Sequence, residues 1–123
     1  MALRILAGFA FLTLLAGCAT NSAYTPLLRA EPAIDSVQSR APRTLRLYFD
    51  ALPNMDVSNL VLRGPAGDYN LRGLHTMAAD DLMIEILDPL TEGDYVVEWV
   101  TRVGEDPVLH QGSFGFKVDL QDN

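Results

Sequence analysis

The residues able to do chemistry in this chain are few: two histidines, one cysteine and four methionines. His110 lies near the end of Trp99-Val-Thr-Arg-Val-Gly-Glu-Asp-Pro-Val-Leu-His110, four residues after the acidic pair Glu105-Asp106. An imidazole with one or two carboxylates is a donor set for a metal ion. The same stretch also reads as a solvated turn, with His110 a polar residue at the start of an edge strand or a contact for a protein partner. His75-Thr76-Met77 sets an imidazole two residues from a thioether, a pair that suits a soft cation, in what otherwise reads as a surface loop. Paired carboxylates at Asp80-Asp81 and Glu105-Asp106 raise calcium binding or acid–base work. Neither has the dense oxygen-ligand spacing of a calcium loop, so both are expected to be solvated turn acids. There is no supported serine–histidine–aspartate order, no glycine-rich phosphate cradle and no histidine pair at helical spacing, so no enzyme is expected.

The cysteine belongs to the amino end. Arg4 precedes an uncharged apolar run from Ile5 to Ala16. That run is shorter than the roughly 20 residues that span a bilayer. It has the proportions of a secretory signal. Leu15-Ala16-Gly17-Cys18 resembles the lipobox of bacterial lipoproteins, which implies cleavage before Cys18 and a diacylglycerol on its sulfur. Residues 1–17 are then the signal peptide. A thioether-linked Cys18 is neither nucleophile nor thiolate ligand, and with no second cysteine the chain has no internal disulfide. Two acyl chains suffice for stable anchoring. Ala19, where an aspartate would mark retention at the inner membrane, points by the enteric sorting pattern to the outer membrane, facing the periplasm.

Loss of the signal removes Arg4 and no acid, so the formal charge of −7 becomes one unit more negative. An acidic domain is not held to an anionic membrane by its own charge. Its basic residues are scattered singly, which excludes a phosphate-neutralising patch and hence nucleic acid as a partner.

The elements that must position these groups are strands. From Ala19 to Ala33 the chain is small, polar and proline-interrupted; residues 18–33 read as a lipidated tether whose last part joins the fold. Thr44–Phe49, Leu60–Arg63, a weaker run from Tyr69 to Leu74, Leu82–Leu87, Tyr95–Thr101 and Gly112–Val118 follow, with apolar residues at period two. Runs of this kind, about ten residues apart and separated by Gly, Pro, Asp and Asn, predict an antiparallel β-sandwich over residues 34–120. Residues 51–59 hold at most one helical turn, with Asp56 or Ser58 as caps. Leu90-Thr-Glu-Gly-Asp-Tyr95 has the form of a tyrosine corner, which makes Tyr95 a structural residue, and Trp99 on the same face is assigned to the core. Met83 is out of phase with Leu82, Ile84 and Ile86 and faces the other side of its strand.

Four stretches carry a family resemblance: Pro42-Arg-Thr-Leu-Arg-Leu-Tyr-Phe-Asp50, Asn59-Leu-Val-Leu-Arg-Gly-Pro-Ala-Gly67, Asp88-Pro-Leu-Thr-Glu-Gly-Asp-Tyr-Val-Val-Glu-Trp99 and Gly112-Ser-Phe-Gly-Phe-Lys-Val118. In this order, across about residues 26–119, the chain resembles the CopC family of periplasmic copper-resistance proteins. The resemblance implies an all-β, immunoglobulin-like Greek-key β-sandwich of about seven strands. It also implies copper as the bound metal, exchanged with envelope copper-transport or other periplasmic proteins. The family's Cu(II) clamp joins an amino-terminal histidine to an Asp-Gly-His motif before the last strand. Here the amino end is Cys18, and the motif stretch is Gly104-Glu-Asp-Pro107, leaving Glu105 or Asp106 for the aspartate and His110 as the nearest imidazole. A methionine-rich Cu(I) stretch found in some members is reduced to Met55, and His75 with Met77 is a separate soft pair. The expected function is therefore copper binding and resistance by a membrane-anchored periplasmic lipoprotein. The alternative is a metal-free immunoglobulin-like interaction module of the envelope.

Overall fold

Alternation along the chain becomes two facing sheets in the computed structural model, which describes residues 24–77 and 79–121. Cys18, the signal stretch and the first part of the tether lie outside the described residues. The strands are β1 (Leu27–Glu31), β2 (Val37–Gln38), β3 (Thr44–Phe49), β4 (Asn59–Gly64), β5 (Gly67–Asp68), β6 (Leu71–His75), β7 (Asp81–Ile86), β8 (Gly93–Thr101) and β9 (His110–Val118). One sheet runs β1-β3-β7-β6 and the other β2-β9-β8-β4-β5. Every pairing is antiparallel except the short parallel contact of β2 with β9.

The buried face is the one that period two predicts. Leu45, Leu47 and Phe49 of β3 and Leu82, Ile84 and Ile86 of β7 meet Leu60 and Leu62 of β4, Tyr95, Val97 and Trp99 of β8, and Phe114, Phe116 and Val118 of β9. Trp99 packs edge-on against Phe49 from the opposite sheet, with ring centroids 5.6 Å apart. Each such side chain removes a large apolar area from water, which is the main favourable contribution in a domain without disulfides. The Tyr95 hydroxyl donates to the Thr91 carbonyl at 2.7 Å and accepts the Thr91 N–H at 2.9 Å. Its ring stacks on Phe116. This return over four residues ties the strand entry to the preceding loop, the geometry of a tyrosine corner.

Four details depart from the sequence reading. The sandwich starts at β1, inside the stretch 18–33 read as a tether and ahead of the boundary at 34. Leu27 to Glu31 carry no strict alternation, and only pairing with β3 makes them a strand. The helical turn at Met55–Val57 has Asn54 and not Asp56 as its N-cap, the Asn54 side chain accepting the Asp56 N–H, while Ser58 is its C-cap, donating its N–H to the Met55 carbonyl. The weak third run is a strand only from Leu71 to His75, with a register shift between Arg72 and His75. Asp81 is no solvated turn acid: its side chain is wholly buried. One carboxylate oxygen accepts Nε of Arg46 at 2.7 Å and the other accepts the Met77 N–H at 2.8 Å. A buried carboxylate is tolerable because both oxygens are bonded, one to a cation.

Candidate functional site

The two histidines stand on different sheets, each with its own partners. His110 opens β9, paired in register with Thr101 of β8. The connection between those strands folds back through the contact of Pro53 with Val103 and the bond from the Asp106 N–H to the Val103 carbonyl. This brings Asp106 beneath the imidazole, with His110 Nε2 and Asp106 Oδ2 2.9 Å apart. The other oxygen of Asp106 accepts the Val108 N–H at 2.9 Å. Together these bonds hold the Asp106 carboxyl below the usual carboxylate range, the one to His110 contributing most. Glu105 is exposed and takes no part.

Two further residues complete this end of the molecule. The Tyr24 ring meets the His110 ring edge-on, with centroids 5.3 Å apart. Its hydroxyl donates to Asp50 Oδ2 at 2.5 Å. That bond, with some desolvation and the negative charges of Asp50 and Asp106, pushes the phenol up to about 12. Neither residue stood out in the sequence. Tyr24 lay in the stretch read as a tether and Asp50 at the end of the Pro42–Asp50 stretch with no site role assigned, and only the register of β1 on β3, with Leu27 opposite Phe49, brings them together.

The cluster Tyr24–Asp50–Asp106–His110 lies where the chain's amino-terminal side meets the turn before the last strand, the place at which the resemblance puts a Cu(II) clamp. Its residues do not supply one. Copper(II) favours several nitrogen donors in a tetragonal array, and here there is one imidazole, already bonded to Asp106. The Tyr24 hydroxyl is already engaged with Asp50, a bond that favours its protonated form. Among the described residues, no three histidine, cysteine, aspartate or glutamate side chains converge on a metal-sized space.

His75 has a different setting. Gly73, with φ of +80°, sits in the bulge of β6, a backbone conformation suited to glycine. Its carbonyl lies 2.5 Å from His75 Nδ1, and Nε2 lies 3.2 Å from Met77 Sδ. Both side chains are exposed. The buried Asp81 holds the backbone of Met77 from below. The soft pair read from the sequence is thus assembled, whereas Met55 stands apart, exposed on the helical turn.

Known proteins sharing this architecture are consistent with one another. PcoC, a copper resistance protein from Escherichia coli, superposes in its selenomethionine form with a TM-score of 0.68 and 22% identity, over 76% of this chain and 98% of that one. A second structure of PcoC, described as a methionine rich copper resistance protein, gives 0.68 and 23%, over 79% and 100%. CopC from Methylosinus trichosporium OB3b gives 0.68 and 22%, over 79% and 95%. No curated protein matches the sequence. At these identities the structural likeness speaks for the fold. The CopC domain, by contrast, matches the sequence itself over residues 27–119, from the first strand to just past the last. The chain belongs to the CopC domain family.

Proposed function

We propose that this chain is a copper-handling protein of the periplasm, anchored through Cys18 to the outer membrane, and that it binds and passes on copper without catalysing a reaction. The observation that carries the reading is the CopC domain match across nearly the whole described fold. The similar structures are of copper resistance proteins. The lipobox-like Leu15-Ala16-Gly17-Cys18 supports the anchor. Partners in this reading are envelope copper-transport proteins. One observation favours the second reading, a metal-free interaction module: Tyr24, Asp50, Asp106 and His110 satisfy one another and leave no open clamp.

The two readings separate in the cell and in the tube. A strain lacking the chain is expected to lose copper tolerance and to regain it with the wild-type gene. The full lipidated chain, purified in detergent, is expected to bind copper in at least one oxidation state at micromolar or lower concentration. Unchanged tolerance together with no binding of either ion rejects copper handling and leaves the interaction module.

A further inference from the structure

The contacts of His75 constrain where its protons are. Nδ1 lies 2.5 Å from the Gly73 carbonyl oxygen, an acceptor only, so Nδ1 must carry a hydrogen and donate it. In the neutral ring Nε2 then has a lone pair and no hydrogen. That lone pair faces Met77 Sδ at 3.2 Å, and a thioether sulfur has only lone pairs to offer. In the neutral ring two electron-pair donors thus point at a common space. The arrangement resembles the general build of metal-ligating histidines, in which one ring nitrogen is fixed by a backbone carbonyl and the other faces the ion.

A third donor stands opposite. Met83 of β7 is the register partner of His75. Directly opposed residues of an antiparallel pair project from the same face with Cβ atoms roughly 4.5–5.5 Å apart. Met83 is half-buried on the outer face, and its unbranched side chain has three rotatable bonds with which to reach the pair. The bulge at Gly73 makes this possible by shifting the register between Arg72 and His75, which re-aims the histidine. The cations nearby on this face are already paired: Arg46 with the buried Asp81, and Arg72 with Glu85 at 3.0 Å.

From these observations we propose that His75 Nε2, Met77 Sδ and Met83 Sδ form a Cu(I) site on the outer face at the β6 edge, with Asp81 positioning Met77 and Gly73 orienting His75. Neutral thioethers with one imidazole select a soft monovalent ion over zinc, calcium or Cu(II). The site deepens the copper-handling reading and rests on it for biological meaning. It lies apart from the turn before β9 and from Met55.

The test uses the full lipidated chain in detergent, with Cu(I) supplied from a chromogenic chelator under reducing conditions. The wild-type chain is expected to take a single Cu(I) from the chelator. His75→Gln, Met77→Leu and Met83→Leu are each expected to weaken binding at least about tenfold, and Met55→Leu to leave it unchanged. Leucine closely matches methionine in volume, so folding should survive, and circular dichroism melts check this. X-ray absorption at the copper edge should show sulfur and nitrogen neighbours, with the sulfur signal lost in the Met77→Leu/Met83→Leu double variant. Cu(I) binding that all three single variants retain within twofold overturns the site while leaving copper handling intact. Binding of Cu(II) alone overturns it in the same way. Failure to bind either ion overturns the site and the copper reading together.

Discussion

Asp106 and Asp81 are two carboxylates with opposite settings, and each makes a prediction about a single side chain. Asp106 is bonded to His110 and to the Val108 N–H, which depresses its folded pKa. A depressed carboxyl contributes stability that is present above its unfolded value, about 3.9, and is lost as pH falls through the lower folded value. Wild-type melting temperature is therefore expected to drop more steeply below about pH 4 than that of Asp106→Asn, which has no carboxyl there to protonate. Parallel melting curves from pH 7 to 3 would reject the linkage. Asp81, wholly buried, bonds both Arg46 and the Met77 N–H. Asp81→Ala strands both partners and is expected to cost about 2–4 kcal/mol in urea unfolding, less than a fully enclosed pair because Arg46 keeps contact with water. A cost below half a kilocalorie would show that the bonds are made equally well by solvent. The sequence set Asp106 near His110 as one of two candidate donors but gave Asp81 no partner, because Arg46 and the Met77 N–H reach it only through the fold.

At the scale of elements, the alternation of apolar residues showed where β3, β4, β7, β8 and β9 run, and which face each buries. It failed at β1, β2 and β5, which exist through pairing more than through their own pattern. It also failed at β6, where Gly73 interrupts the period with a bulge. The Leu90–Tyr95 motif succeeded because a tyrosine corner is local: hydroxyl and backbone partner lie four residues apart. Tyr95→Phe keeps the stacked ring and removes only the two bonds to Thr91. It is expected to cost about 1–2 kcal/mol, read as a lower urea midpoint at unchanged m-value. An unchanged midpoint would mean that Thr91 is equally well served by water.

For the molecule as a whole, charge and anchoring are linked. The chain carries a formal charge of −7, so its attachment to an anionic bilayer depends in the proposed reading on acyl chains at Cys18 and not on electrostatic attraction. Wild-type protein is expected to stay in the membrane fraction after a high-salt wash, and Cys18→Ala to leave the membrane fraction. A wild-type chain that high salt releases would contradict lipid anchoring. Among the described residues no helix is long and apolar enough to cross a membrane.

What the sequence by itself determined was the class of fold and the inward face of each long strand. These follow from a period of two, which neighbouring residues set among themselves. It also displayed His75, Met77 and His110 as donors. Only the tertiary structure decided which of them meet. Tyr24 reaches Asp50 and His110 through the pairing of β1 with β3, and Met83 stands opposite His75 through the pairing of β6 with β7. Asp81 reaches Arg46 from 35 residues away. Such meetings depend on register between separate strands, and a slip of one residue would turn every side chain to the opposite face. No local pattern in the chain encodes that register, because it is set by the packing of both sheets at once.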